Sequence, residues 1–136
     1  MLEIVKNSPA YWEFIRHLKN DEDARANSMS KHIIGPEEHR AYMSVHNDKY
    51  YICLEDSVPL GYMGRNAQDY VAVAVISEAR GKGIGKYMLQ YYCKQMREHN
   101  LRAIVNISNH ASIKMCESSG FIKKYYVLEL AEDDQK

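Results

Sequence analysis

The sequence predicts a mixed α/β domain, a central and mostly antiparallel sheet with helices on both faces. Three observations carry this. Residues 70–100, YVAVAVISEARGKGIGKYMLQYYCKQMREHN, pass from an apolar run through a glycine-rich turn into an amphipathic pattern, which reads as buried strand, backbone-rich loop and long helix. From Tyr50 onward two short apolar runs sit at hairpin spacing. On either side of this block, helical patterns alternate with further strand candidates, as layered α/β domains require.

In order, LEIV (2–5) is a short strand. Ser8 before Pro9 is a helix start, with the hydroxyl as cap and proline at the first helical position. That helix runs to about Asn20 and puts Trp12, Ile15 and Leu18 on one face. Asp21 is placed to cap a polar turn or short second helix. Gly35-Pro36 interrupts the chain, and PEEHRAYMSVH opens another helix with acids in its first turn, where the dipole favours them. YYICLE (50–55) and PLGYMG (59–64) are strands joined across Asp56 to Val58, and YVAVAVI (70–76) is the next. LRAIVNIS (101–108) and FIKKYYVLEL (121–130) are predicted as two more strands around a helix at about 110–118. AEDDQK is a frayed acidic tail.

At 136 residues the chain suits one domain over 1–136 with a core that needs no staples. Hydrophobic residues make up 46% and charged residues 26%, which argues against disorder. The 18 basic residues offset 18 acidic ones, so no global charge favours nucleic acid or an anionic membrane. Cys53, Cys93 and Cys116 are odd in number and far apart, with no CxxC or HExxH motif, so neither a disulfide framework nor a metal is expected. A reducing cytoplasm fits this cysteine usage. The N-terminus lacks a signal-peptide pattern, and no apolar run approaches the roughly 20 residues of a membrane span.

The loop Arg80-Gly81-Lys82-Gly83-Ile84-Gly85-Lys86 invites an anion, because a helix N-terminus has free N–H groups and glycine lets a ligand approach them. Its spacing excludes two nucleotide motifs. A dinucleotide GxGxxG needs glycine where Lys86 or Met88 stands, and a Walker A loop needs Ser or Thr where Tyr87 stands. What remains is R-x-x-G-x-G between strand and helix, carried by Arg80, Gly83 and Gly85. A second block follows, Asn109-His110-Ala111-Ser112 opening a helix that ends at Gly120-Phe121.

These two blocks, in this order, resemble the GNAT superfamily of acetyl-CoA-dependent N-acetyltransferases over roughly residues 50–130. The resemblance implies a sheet splayed between its fourth and fifth strands, residues 1–49 on the acceptor side, 50–130 as the acetyl-CoA-binding core and 131–136 as tail. It implies that backbone N–H groups of Gly81, Gly83, Ile84 and Gly85 bind the pyrophosphate, with Arg80, Lys82 and Lys86 adding local charge. It also implies backbone contacts from Val73 and Val75 to the pantetheine arm, and Asn109, Ser112 and Lys114 near that arm.

The chemistry requires an amine that loses a proton and a thiolate that leaves. Asp69, near the start of the fourth strand, is the candidate proton acceptor, with turn-capping as the competing role. Many relatives carry a tyrosine four residues before the final glycine as general acid. Here Cys116 stands there, and it is either a thiol donor or inert packing. For the acceptor, Trp-Glu-Phe-Ile at 12–15, Arg-x-Leu-x-Asn-Asp at 16–21 and the stretch around Glu37-Glu38-His39 resemble the branch acting on nucleotide-linked amino sugars. His32, Glu38 and His39 are the substrate-side candidates. The alternatives are protein N-termini, as in ribosomal-protein acetylation, or a non-catalytic acyl-CoA-binding regulatory domain. A small-molecule amine is the expected partner, with no nucleic acid or membrane, in a monomer or homodimer.

Overall fold

The computed structural model describes residues 1–132; of the tail expected over 131–136, residues 133–136 lie outside the described residues. Strands β1 (Leu2–Lys6), β2 (Tyr51–Glu55), β3 (Val58–Arg65) and β4 (Val71–Val75) form one sheet in the order β1-β2-β3-β4, every neighbouring pair antiparallel. The β2–β3 turn places Asp56 and Ser57 at φ 50° and 69°. Both are left-handed, which matches the right-handed twist of a tight hairpin.

Pro9–Tyr11 forms a 3-10 turn ahead of α1 (Trp12–Asn20), and Ser8 makes no side-chain cap bond. The helix start is therefore set by the fixed φ of proline rather than by the hydroxyl. Asp21 does cap α2 (Glu22–Ala26), accepting from the N–H groups of Asp23 and Ala24. α3 (Pro36–His46) begins at Gly35, whose N–H donates to Glu38 Oε1 at 3.3 Å. α4 (Ile84–Gln95) follows the glycine loop, and α5 (His110–Ser118) is capped by Asn109, which accepts from Ser112 N–H at 3.3 Å.

The pleat sorts the core into two layers. On one face Tyr50, Ile52, Leu54 and Tyr62, with Ala72 and Ala74, pack against Ile15 and Leu18 of α1 and Met43 of α3. On the other, Cys53, Met63, Val71, Val73 and Val75 pack against Ile84, Met88 and Tyr92 of α4. Each fully buried Ile or Met contributes about 1.5–3 kcal/mol by leaving water. Tyr92 also pins α4 to the sheet, donating its hydroxyl to the Lys49 carbonyl at 2.6 Å and accepting from Arg65. No helix among the described residues is long and apolar enough to cross a membrane.

Two expected strands do not form. Residues 101–108 begin as one, with a parallel bridge from Arg102 to Tyr70 that joins Val71 N–H to Arg102 O at 2.8 Å and Arg102 N–H to Asp69 O at 2.9 Å. Beyond that bridge no backbone hydrogen bond links the segment to β4. The splay implied between the fourth and fifth strands is thus present, with its second wall extended but unpaired. At 121–130 the chain leaves α5 through Gly120 at φ 104° and lies in solvent, Leu128 and Leu130 being 91% and 99% exposed. β-propensity alone does not make a strand; an edge to pair with does.

Candidate active site

The parting of β4 from residues 103–106 opens a cleft of about 1150 Å³. Its two halves are built differently.

One half is backbone. After β4 a 3-10 turn, Ser77–Ala79, leads through Arg80 into Gly81 and Gly83, at φ 78° and 79°. A Cβ on Gly83 would meet nothing within 4 Å, so glycine is required there by the left-handed backbone rather than by crowding. Gly85 differs: its Cβ would lie 3.3 Å from Met115 Sδ, so it lets α4 close on α5. The N–H groups of residues 81–86 have no acceptor among the described residues, the next bonds being Arg80 to Ser77 before them and Tyr87 to Gly83 after. Val71 N–H points to Arg102 and Ile76 N–H back to Leu60. Strand alternation therefore turns the main chain of Val73 and Val75 toward the cleft while their side chains enter the α4 core. Asn109, Ser112 and Lys86 also line the cleft.

Arg80 reaches this half already engaged. Its Nε donates to the Val75 carbonyl at 3.1 Å, and its remaining nitrogens pair with Asp23 at 3.1 Å and Asp21 at 3.4 Å. It ties the loop to α2, so its charge is offset there. Lys82 and Lys114 are exposed and lie outside the lining.

The other half is side chains. Lys19 of α1 donates to Tyr50 Oη at 3.1 Å and lies 4.8 Å and 4.9 Å from the ring centroids of Tyr42 and Tyr50. The Tyr42 and Tyr50 hydroxyls are 2.9 Å apart, and Tyr62 stands behind them. A Cβ on Gly64 would sit 2.3 Å from the Tyr50 ring, so that ring lies flat on the bare backbone of β3. Burial shapes the protonation of the group. It pulls the Lys19 ammonium down to about 8 and pushes the Tyr50 and Tyr62 phenols well above the usual tyrosine range.

Among the sequence candidates, His32 and Glu38 pair at the rim, Nε2 to Oε1 2.9 Å, and that contact together with the Gly35 N–H lowers the Glu38 pKa. His39 lines the same half but is buried. Its Nε2 has no partner among the described residues, and desolvation followed by the Lys19 charge lowers its pKa. Cys116 lines the cleft, and burial, then the neighbouring Glu117, pushes its thiol up, which keeps it protonated. Asp69 requires correction. Its carboxylate accepts from Arg65 Nε at 3.0 Å, it occupies a left-handed turn position at φ 67°, and it does not line the cleft. The arginine captures it on the side of the sheet that carries Tyr92 and Met96.

Lys19, Tyr42, Tyr50 and Tyr62 were not singled out in the sequence. One signal was available: Lys19 falls on the helical stripe of Trp12 and Ile15, where a lysine is out of place.

Comparison with known proteins places the chain. The profile described as the Acetyltransferase (GNAT) family matches residues 12–121. No curated protein matches the sequence significantly. Solved structures with the same fold include an N-acetyltransferase from Staphylococcus aureus Mu50, 21% identical, covering 87% of this chain and 81% of its own, TM-score 0.72. A ribosomal-protein-alanine N-acetyltransferase from Brucella melitensis is 21% identical, covering 87% and 83%, TM-score 0.73. A phosphinothricin acetyltransferase from Sinorhizobium meliloti, in complex with acetyl-CoA, is 19% identical, covering 88% and 74%, TM-score 0.73.

Proposed function

The chain belongs to the Acetyltransferase (GNAT) family, and from that premise we propose that it moves acetyl from acetyl-CoA to a primary amine by direct attack. The observation that carries this is the run of open amides over residues 81–86, set at one end of a cleft whose other end is walled by the N-terminal helices. A diphosphate is what such a nest of N–H donors suits, without buried cationic side chains. From there the outward main chain of Val73 and Val75 offers strand-like bonds to an amide-bearing arm, with Asn109 and Ser112 beside it.

Acetyl-CoA supplies an acetyl thioester, an acyl donor that loses a thiol when an amine attacks. The chain's contribution is position and protons. Small Ala72 and Ala74 on β4 leave room above the sheet for the acceptor. The protonated thiol of Cys116 is a proton source for the departing sulfur. Asp69 is tied to Arg65, so the amine proton leaves through water.

For the acceptor we propose a nucleotide-linked amino sugar, supported by the residue patterns of the N-terminal third and by a wall of tyrosines that suits a sugar or base ring. A protein N-terminus is the second reading, favoured by the fold shared with the Brucella melitensis enzyme. The test is release of coenzyme A thiol from acetyl-CoA with UDP- and dTDP-linked amino sugars, N-terminal peptides and polyamines. Fastest release with the nucleotide sugars is expected. Faster release with peptides replaces the first reading by the second. Acetyl-CoA binding with no release on any amine removes both.

A further inference from the structure

We propose that Lys19, with Tyr42 and Tyr50, forms an anion subsite in the acceptor half of the cleft, so that the acceptor amine carries a carboxylate or phosphate. This rests on the reading of the cleft given above and narrows its acceptor class.

The first support is a charge inventory of the cleft lining. Among the described residues its two acids are both committed, Asp23 to Arg80 and Glu38 to His32. Of the lining cations, Lys86 stands at the amide nest, and Arg25 donates to the Asn20 carbonyl. Lys19 stands alone in the opposite half, with no carboxylate within 4.0 Å of its Nζ among the described residues. A cation half-buried against two aromatic rings without a counter-ion is a costly arrangement, and an incoming anion relieves it.

Donor arithmetic is the second support. An ammonium has three donors, and Lys19 uses one, on Tyr50 Oη. Tyr42 and Tyr50 hold two phenol protons between them, one of which closes their mutual 2.9 Å bond. Two ammonium protons and one phenol proton therefore remain unspent beside the cleft, which suits the several lone pairs of a carboxylate or phosphate. The geometry is held in place, because Tyr50 lies on Gly64 and is buried. Binding an anion here also raises the lysine pKa, since burial opposes its charge and a counter-ion favours it.

The test uses matched probes on the full chain loaded with coenzyme A. Benzoate, phenyl phosphate and benzamide are titrated by calorimetry into wild type, Lys19→Met and Lys19→Arg. At least one of the two anions is expected to bind wild type at least tenfold more tightly than benzamide. That preference should fall to within threefold in Lys19→Met and be largely restored in Lys19→Arg, with the melting temperature confirming that both variants are folded. Benzoate and phenyl phosphate distinguish the carboxylate from the phosphate source. Equal binding of anions and benzamide to wild type overturns the subsite while leaving the acetyltransferase reading intact, as does an anion preference that survives in Lys19→Met. Failure of coenzyme A to bind wild type overturns the reading of the cleft and the subsite with it. Should Lys19→Met fail to fold, Lys19→Gln carries the same test, because it removes the charge while keeping a polar side chain at the same place. An undiminished anion preference in that variant also overturns the proposal.

Discussion

The two halves of the cleft solve the same problem with different materials. The amide nest at 81–86 is main chain, fixed by left-handed glycines and a helix start, and its polarity does not depend on pH. The Lys19–Tyr42–Tyr50 wall is side chain, held by packing on Gly64, and its charge changes near pH 8. A main-chain site suits a donor whose diphosphate never varies. A side-chain site can be retuned by single substitutions, so under the proposed function that is where acceptor choice would reside.

If this division holds, changes in one half should leave the other working. The largest effect is expected from Gly83→Val. A β-branched residue at φ 79° costs about 1–3 kcal/mol of backbone strain, and acetyl-CoA affinity should fall at least about a hundredfold, or about 2.7 kcal/mol. Calorimetry would read the affinity and circular dichroism the surviving fold; unchanged affinity would remove the nest from donor binding. Next comes Gly64→Ala, whose Cβ would collide with the Tyr50 ring. Overpacking of this kind costs about 1–3 kcal/mol, so the melting temperature should drop and kcat/KM for the best acceptor fall about tenfold. Acetyl-CoA affinity should stay within about twofold; a parallel loss of donor binding would show the halves to be coupled.

Stability against pH gives a third effect. Lys19 carries a folded pKa of about 8, below the roughly 10.4 of an unfolded lysine. Between those values the unfolded chain binds more protons, so stability rises with pH across that window and the desolvation penalty is fully present below it. His39, His46, Lys49, Tyr42, Tyr50 and Tyr62 also surround Lys19. The measurement is therefore a difference, urea unfolding of wild type against Lys19→Met at about pH 7.5 and pH 10. The gap should move in favour of wild type at the higher pH, and a constant gap would contradict the buried-lysine account. Smallest is Asp69→Asn. It weakens a partly buried pair with Arg65 and should cost about 1 kcal/mol of stability, with turnover on any acceptor changed less than about threefold. A turnover loss of about a hundredfold would return Asp69 to the mechanism.

The same division governs what the sequence disclosed. Glycine spacing reports main-chain geometry directly, so the turn at Gly83 and the Asn109 helix cap were legible as structure, as were β1 to β4 from their alternation. The splay beside β4 was implied by the resemblance to the GNAT superfamily, not by the elements themselves. Lys19 was hidden, because only the packing of α1 over β3 brings it to Tyr42 on α3 and Tyr50 just before β2, partners 23 and 31 residues away. Asp69 stayed open between proton acceptor and turn residue, because its distance from Arg80 along the chain says nothing of Arg65, which captures it through a turn. FIKKYYVLEL has every local mark of a strand, yet pairing is a property of two segments, and sequence periodicity describes only one.

The single bridge from Tyr70 to Arg102 makes the donor a structural member of the protein as well as its substrate. Past that bridge the sheet lacks a rung between Val73 and residues 103–106, which the pantetheine arm would supply if the donor binds as proposed. Occupancy should then act as a folding contribution that grows with the logarithm of acetyl-CoA concentration, about 2.7 kcal/mol at a hundred times the dissociation constant. Amides of β4 and of 103–106 should exchange hydrogen quickly in the free chain and slow together on loading. The cell's acetyl-CoA level would thereby set how much of this enzyme stays folded, as well as how fast it works.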